Sequence, residues 1–216
     1  MYDYYFFDLD GTLTDPWEGI TNSVAYALKR FGISVEDNKK LLPFIGPPLV
    51  DSFQEYVGLD RESAIKAVEY YREYFSDKGL YENKVYDGII GVLKELKQRG
   101  KKLVVATSKP QIFTEKILAK FNLDRYFDYV SGASLDQSKI KKGDIIAHAI
   151  KELKIEDTSR VLMIGDRCFD IMGASQNSTH SAGVLYGYGS REEIENSNPN
   201  YIVDKVQDIL KIESKT

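Results

Sequence analysis

The amino-acid sequence predicts an α/β protein, with a Rossmann-like, doubly wound parallel sheet and an inserted α-helical cap domain. Short apolar, β-rich runs alternate with segments of helical periodicity over most of the 216 residues. This alternation is typical of a parallel sheet that is covered by helices on both faces. Between about residues 16 and 84 it stops, and helical patterns follow one another without a convincing strand. We therefore expect a core domain formed by residues 1–15 and 85–216, and an insert at 16–84.

Composition and charge favour a small-molecule partner. The formal net charge is −4, from 29 basic and 33 acidic residues, and no long run of either sign suggests a nucleic-acid or membrane surface. Cys168 is the single cysteine, which excludes an internal disulfide and favours a reducing, cytoplasmic location. No apolar run approaches the length that spans a bilayer. A monomer and a homodimer are both compatible with the sequence.

Six apolar runs are predicted as strands, at residues 4–7, 103–106, 129–130, 161–164, 182–185 and 201–203. Helical spacing predicts a helix that ends at Gly100 and two more at about 112–121 and 145–153. In the second of these three helices the apolar stripe starts at Ile112 and continues with Ile117, Leu118 and Phe121. In such sheets ligands bind beyond the carboxyl ends of the strands. Polar residues at those ends are therefore the first candidates for a functional site.

The insert carries two apolar stripes at helical spacing, formed by Val24, Leu28 and Phe31 and by Ala64, Ile65, Val68, Tyr71, Tyr74 and Phe75. Asp60 is expected to cap the helix that carries the second stripe. Residues 44–49, Phe-Ile-Gly-Pro-Pro-Leu, interrupt the helices and predict a stiff turn.

The segment after the first strand carries two carboxylates, Asp8 and Asp10, followed by Gly11. Side chains two apart on an extended chain project the same way, so both acids are expected to reach one point. A bound cation or a shared proton would relieve their repulsion. One acid can then stay ionised as a nucleophile while the other donates a proton.

A strand at 103–106 is followed by two hydroxyl residues, Thr107 and Ser108. We predict that Ser108 and Gln111 form a capping box at the start of the next helix. The N-terminus of that helix would offer backbone N–H groups to an anion, with the Thr107 hydroxyl as a further donor.

A third strand, at 161–164, leads into Gly165 and Asp166, and Asp170 follows four residues later. In a loop or first helical turn the two aspartates can converge on one cation. Oxygen ligands from few protein groups suit Mg2+. Upstream, Lys139, Lys141 and Lys142 precede a helix, and we favour Lys142 as the residue that reaches the site because it directly adjoins the helix start.

These four segments, in this order, resemble the motifs of the haloacid dehalogenase superfamily, in its branch of Mg2+-dependent phosphatases. The helical insert directly after the first motif resembles the smaller, α-helical type of cap in that family. More narrowly, residues 132–142, 165–167 and 183–193 resemble phosphoglycolate phosphatases or 5'-nucleotidases. Many such relatives have Lys-Pro-x-Pro where this chain has Lys142-Gly143-Asp144.

The resemblance implies a phosphatase that hydrolyses a small phosphomonoester, of the phosphoglycolate or nucleoside-monophosphate type, through an aspartyl-phosphate. Asp8 would attack phosphorus, and water would then hydrolyse the intermediate. Asp10 would protonate the departing alkoxide and afterwards activate the water.

The resemblance also implies the ligands of this reaction. Mg2+ would be held by Asp8, the main-chain carbonyl of Asp10, Asp166 and Asp170. The phosphate oxygens would be held by Thr107, Lys142 and backbone groups at Ser108 and Gly11. In the insert, Gly46, Arg72 and Lys84 are candidates for substrate contact.

Other functions remain open at the level of sequence. A phosphotransferase of the β-phosphoglucomutase type would carry the same four motifs. A haloalkanoic-acid dehalogenase would need no acid at Asp10. A receiver-type signalling domain would be shorter and would lack the insert. A catalytically inactive binding protein on the same scaffold would not need the residues that the reaction uses, and all of them are present here.

Overall fold

Six strands form one parallel sheet, which confirms the fold class that the alternating pattern predicts. The computed structural model describes residues 2–135 and 141–212. The strands of the sheet are β1 (Tyr4–Phe7), β4 (Lys102–Pro110), β5 (Tyr129–Ala133), β6 (Val161–Gly165), β7 (His180–Val184) and β8 (Tyr201–Val203). Their order in the sheet is β5-β4-β1-β6-β7-β8, and every pairing is parallel.

The chain divides into two compact units, one formed by Met1–Asp15 and Val85–Thr216 and the other by Pro16–Lys84. The first unit contains the sheet and five helices, α4 (Ile89–Gln98), α5 (Gln111–Lys120), α6 (Lys142–Glu152), α7 (Cys168–Gln176) and α8 (Arg191–Asn196). Two short strands, β2 (Thr14–Asp15) and β3 (Lys84–Val85), pair where the chain passes between the units.

The central strand β1 is buried because it is apolar at every position. Tyr5, Phe6 and Phe7 are each at most 4% exposed. Phe6 belongs to a core cluster with Val104 and Ile146, whereas the neighbouring side chains Tyr5 and Phe7 project to the opposite face of the sheet. A strand that is covered on both faces is typical of parallel sheets.

The strand order reverses direction between β1 and β6. From β1 the chain continues to β4 and β5 on one side, and it then crosses to β6, β7 and β8 on the other. Such a switch point leaves a crevice outside the carboxyl ends of the strands. Asp8 directly follows β1 and Asp166 directly follows β6, so the two acids flank this crevice.

The second unit is helical, with α1 (Trp17–Arg30), α2 (Leu49–Val57), α3 (Arg61–Tyr74), a 3-10 turn at Asn38–Phe44 and a π-turn at Phe75–Gly79. The Asp60 side chain caps α3 by accepting a hydrogen bond from Ser63 N, as predicted. Ile65 does not belong to the buried stripe of α3, because its side chain is 44% exposed.

The predicted capping box of Ser108 and Gln111 is wrong. Strand β4 continues to Pro110, and α5 begins only at Gln111 without a side-chain cap. The Gln111 amide instead bridges to β5, since its Oε1 accepts from Gly132 N at 2.6 Å and its Nε2 donates to Val130 O. Ile112, predicted to start an apolar stripe, is 45% exposed.

No helix in the described ranges is both long enough and apolar enough to cross a membrane. Lys139 lies outside the described residues.

Candidate active site

Three buried carboxylates meet at the switch point of the sheet. Asp8, Asp166 and Asp170 each place a carboxylate oxygen within 4.8 Å of the other two. The first two follow the ends of neighbouring strands, and Asp170 lies in the first turn of α7, where it accepts a hydrogen bond from Arg167 N at 3.1 Å. The convergence of Asp166 and Asp170 that the sequence predicts is therefore present.

Two glycines make room for these acids. A Cβ on Gly11 would lie 2.2 Å from Asp166 Oδ2, and the backbone φ of +84° is itself in the region that favours glycine. A Cβ on Gly165 would lie 2.1 Å from the carboxyl carbon of Asp170. Both glycines are thus required by the close approach of a carboxylate rather than by the turn alone.

Lys142 is the lysine that enters this cluster. It lies in the first turn of α6, and its Nζ is 2.9 Å from Asp8 Oδ1 and 2.7 Å from Asp170 Oδ1. The same Nζ donates a hydrogen bond to Ala106 O, in the middle of β4. Lys141, the preceding residue, is exposed.

Lys109 is a buried site residue that the sequence interpretation missed. Its Nζ donates to Asp10 Oδ2 at 2.6 Å, and only 6% of its side chain is exposed. The missing signal was the length of β4: on an extended chain Lys109 shares a face with Thr107, two residues before it. A strand that ends at residue 106, as the apolar run predicts, does not include Lys109.

Asp8 and Asp10 differ in their partners. Asp8 Oδ1 accepts from Leu9 N at 2.7 Å and lies beside Lys142. Asp10 is held by Lys109 through Oδ2, and its Oδ1 is buried without a hydrogen bond among the described residues. Asp10 therefore keeps one acceptor oxygen available.

Burial and mutual repulsion raise the pKa of three acids in the site, Asp10, Asp166 and Asp170. Burial, followed by the charges of Asp170 and Asp8, raises the pKa of Asp166 to about 8. Burial likewise raises the pKa of Asp170 to about 6, against the opposing charge of Lys142. The pKa of Asp10 is raised by burial although the Lys109 ammonium lowers it. In each case burial is the largest cause, and the charge of a neighbouring carboxylate adds to it.

Lys142 stays charged in this environment. Burial alone lowers the pKa of a lysine, but the carboxylates of Asp170 and Asp8 outweigh it, and the net shift is upward. Four carboxylates, those of Asp8, Asp10, Asp166 and Asp170, thus face two ammonium groups. The excess of negative charge, on hard oxygen donors, fits a divalent cation such as Mg2+.

Thr107 and Ser108 lie on β4 between Ala106, whose carbonyl binds Lys142, and Lys109. Thr107 is 2% exposed, and its Oγ1 accepts a hydrogen bond from Lys109 N at 3.2 Å. Ser108 is half-buried.

Gly46, Arg72 and Lys84 belong to the second unit, so their contact with substrate stays a prediction. Gly46 is exposed between the 3-10 turn and α2, Arg72 is half-buried in the last turn of α3, and Lys84 is exposed.

Asp166 has two further partners that sequence reasoning did not identify. Its Oδ2 accepts from Tyr188 N at 2.8 Å, and its Oδ1 accepts from Thr12 Oγ1 at 3.4 Å. The sequence does contain a signal for Thr12, because this residue belongs to the same motif as Asp8 and Asp10. The backbone contact of Tyr188 carries no signal in the side-chain pattern.

Comparison with known proteins relates this site to one family. The model of the family described as Haloacid dehalogenase-like hydrolase matches residues 5–184, which include the acids, both lysines and Thr107.

Individual relatives are similar along almost the whole chain. A 5'-nucleotidase of Pseudomonas aeruginosa is 46% identical over 93% of this chain and 90% of its own length. The tyrosine-protein kinase PtkA of Mycobacterium tuberculosis is 34% identical over 94% of this chain and 71% of its own length. The crystal structure of a predicted phosphatase from Clostridium acetobutylicum matches with a TM-score of 0.93 and 50% identity, over 98% of this chain and 100% of that one.

Proposed function

The chain belongs to the haloacid dehalogenase-like hydrolases and is a phosphatase of that family, and we propose that it hydrolyses a small phosphomonoester in a Mg2+-dependent reaction through an aspartyl-phosphate on Asp8. The observation that carries the proposal is the buried group of Asp8, Asp166 and Asp170 at the switch point of the sheet. It combines a nucleophile with a site for a divalent cation.

Asp8 is the nucleophile in this proposal. It directly follows the central strand, its backbone N–H donates to Ile164 O, and Leu9 N together with Lys142 fixes its Oδ1. These contacts orient the carboxylate toward the crevice before substrate arrives. Preorganisation of this kind lowers the barrier to attack without any motion in the transition state.

Asp10 is the proton donor and acceptor. A raised pKa allows it to hold a proton in the free enzyme, and its Oδ1 is available for the leaving alkoxide. Once it has given that proton, the carboxylate accepts one from the attacking water. Lys109 holds the other oxygen, Oδ2, in place during both steps.

Asp8, Asp166, Asp170 and the main-chain carbonyl of Asp10 would hold the Mg2+. When bound, the ion supplies positive charge that offsets the repulsion between Asp8 and the phosphate. Lys142, Thr107 and backbone groups at Ser108 and Gly11 are assigned to the remaining phosphate oxygens. Charge stabilisation and positioning then account for most of the catalysis.

The second unit is assigned the role of a cap, which selects the leaving group and excludes water during attack. Gly46, Arg72 and Lys84 remain its candidate substrate contacts. The similarity to a protein named 5'-nucleotidase supports a nucleoside monophosphate as the first substrate to test, ahead of phosphoglycolate.

The proposal is tested by measuring phosphate release from a panel of phosphomonoesters, with Mg2+ and with EDTA. We expect turnover that requires Mg2+ and is highest for a nucleoside monophosphate or phosphoglycolate. Asp8→Asn should abolish it, and Asp124→Asn, which changes an exposed aspartate on the same unit, should not. Equal turnover in EDTA would contradict the Mg2+ dependence, and wild-type turnover by Asp8→Asn would contradict the nucleophile.

Phosphoryl transfer to an acceptor other than water is a second candidate, favoured by the similarity to a protein named a tyrosine-protein kinase. A transferase of the β-phosphoglucomutase type would share every residue assigned above. Slow loss of phosphate from a labelled enzyme, accelerated by a sugar phosphate, would favour transfer. Rapid release to water favours the phosphatase.

A further inference from the structure

The loop of residues 185–190, Leu-Tyr-Gly-Tyr-Gly-Ser, connects β7 to α8 and is called here the tyrosine loop. It packs directly against Asp166. A Cβ on Gly187 would lie 2.4 Å from Asp166 Cβ and 2.3 Å from Gly11 O, and a Cβ on Gly189 would lie 1.9 Å from Asp166 O. Since two of these contacts are with backbone oxygens, no side chain larger than hydrogen fits at either position without moving the site.

The same loop donates a backbone hydrogen bond to the acid. Tyr188 N binds Asp166 Oδ2 at 2.8 Å. The loop has no regular secondary structure between β7 and α8. The position of the Tyr188 N–H is therefore set by the contacts of the Tyr188 side chain and not by a helix or strand.

The Tyr188 side chain is anchored where the chain leaves the first unit. Its hydroxyl donates to Asp15 Oδ1, on the last residue of the first unit before the insert. Tyr86, one residue after the chain returns at Val85, is tied to the same outgoing segment, since its N–H donates to Leu13 O at 3.1 Å.

A second tyrosine reinforces the arrangement. The Tyr186 hydroxyl donates to Thr12 O at 3.1 Å, and its ring packs edge-to-face against that of Tyr86, with the centroids 5.2 Å apart. Thr12 in turn donates to Asp166. The loop therefore contacts the acid and both chain crossings at once.

From these contacts we propose that Tyr188 is a positioning residue that holds Asp166 in its metal-binding orientation by anchoring the tyrosine loop to Asp15. This inference rests on the proposed function, in which Asp166 binds Mg2+. The Tyr188 hydroxyl fixes the position of the residue, and the Tyr188 N–H fixes the Asp166 carboxylate. One hydrogen-bonded network therefore joins the chain crossings to the metal site. Partners that orient metal ligands commonly affect metal affinity in this way.

The test measures Mg2+ binding by isothermal titration calorimetry of the full chain without substrate, followed by KM and kcat. We expect Tyr188→Phe to weaken Mg2+ binding about tenfold, the lower end of what such partners contribute. At saturating Mg2+ its KM for substrate should be unchanged. Tyr2→Phe is the matched control, because it also removes a tyrosine hydroxyl bond of the first unit, that to Tyr201 O–H.

Asp15 provides the second arm. Asp15→Asn keeps a carbonyl acceptor for Tyr188 and should retain Mg2+ affinity, whereas Asp15→Ala should lose as much as Tyr188→Phe. The double variant Asp15→Ala/Tyr188→Phe should bind Mg2+ no more weakly than either single variant, because each substitution removes the same bond, that between the Tyr188 hydroxyl and Asp15. This arm decides the question if Tyr188→Phe does not fold.

Wild-type Mg2+ affinity in folded Tyr188→Phe, or an equal loss in Tyr2→Phe, would overturn the inference while leaving the proposed function intact. Absence of Mg2+ binding by the wild-type protein would instead overturn the proposed function.

Discussion

Two aspartates separated by one residue have different surroundings, and this difference gives them different chemistry. Asp8 is held by Lys142 and Leu9 N, whereas Asp10 is paired with Lys109 and keeps one oxygen free of hydrogen bonds among the described residues. Burial raises the pKa of Asp10. A carboxylate placed to attack, beside an acid with a raised pKa, is the arrangement that acid–base catalysis with a nucleophile requires.

Asp10→Asn separates the two roles. An amide cannot protonate an alkoxide, so hydrolysis of an alkyl phosphate should fall by about a hundredfold or more. The loss should be smaller for the first step with p-nitrophenyl phosphate, whose leaving group needs no proton. The rate of nitrophenol release in a single turnover checks this, and an equal loss with both substrates would contradict it.

Lys109→Met tests the partner of Asp10. Removing the ammonium removes the charge that lowers the pKa of Asp10, so Asp10 should keep its proton to a higher pH and the pH at which kcat/KM begins to fall should move upward. Binding of Mg2+ should change little, because the ion pair of Lys109 is with Asp10, whereas the carboxylates proposed to hold the ion are those of Asp8, Asp166 and Asp170. A pH–rate profile identical to that of the wild type would contradict this role.

The residues that sequence could predict are those fixed by strand ends. Asp8 and Asp166 follow apolar runs in a parallel sheet, and such runs end at one edge. Lys109 could not be assigned because it depended on where β4 ends. Tyr188 could not be assigned because its contact with Asp166 is made by the backbone.

At the scale of elements, Lys142 is placed by the close packing of α6 against α7. A Cβ on Gly173 would lie 3.0 Å from Gly143 N and 2.9 Å from Lys142 Cγ. The two helices can approach here because α7 has a glycine, Gly173, at the point of contact. The start of α6, and with it Lys142, can therefore lie beside Asp8 and Asp170.

Gly173→Ala should push the start of α6 away from the site. We expect destabilisation of about 1–3 kcal/mol from overpacking, and a fall in kcat as Lys142 loses its position. Gly91→Ala is the matched control: its Cβ would meet nothing within 4 Å on α4, and the change should stabilise by up to about 1 kcal/mol. Urea unfolding and steady-state kinetics check both, and an unaltered kcat in Gly173→Ala would count against this placement.

The periodicity of apolar residues predicts the strands and most helices, but it does not give the correct boundary between β4 and α5. Proline at 110 fits an extended chain as well as a helix start, and the Gln111 side chain binds β5 rather than the end of α5. Contacts between distant segments decide such cases, and local patterns do not contain them. Ile65 and Ile112 were assigned to apolar stripes by spacing although both are exposed.

At the scale of the whole molecule, the stability of the metal-free protein should depend on pH because the site holds excess negative charge. Asp166 and Asp170 have pKa values of about 8 and about 6 in the folded chain, against about 3.9 for an unfolded aspartate. The folded protein therefore binds protons more tightly, and the stability they contribute is present below about pH 4 and lost as pH rises through 6 and 8.

In EDTA the Tm should accordingly fall between about pH 6 and about pH 8.5, and Mg2+ should raise the Tm more at the higher pH, where it need not displace protons. Asp166→Asn should flatten the decline. Thermal unfolding across this range checks the prediction. A Tm that rises with pH in EDTA would contradict it.

In our proposal the first unit carries out the chemistry and the second unit selects the substrate. All acids and both lysines of the site belong to the first unit, as does every contact of the tyrosine loop described above. Composition and helical spacing predicted a helical insert, but they do not identify its ligand. Discrimination between substrates must be measured.

The central claim is that Asp8 carries the phosphoryl group, and rapid acid quenching during turnover tests it most directly. The enzyme is mixed with radioactively labelled phosphomonoester and Mg2+, quenched, digested and mapped. The account predicts transient label on the peptide that contains Asp8, no label in EDTA, and none in Asp8→Asn. Turnover without label on any peptide, or label on a different residue, would contradict it.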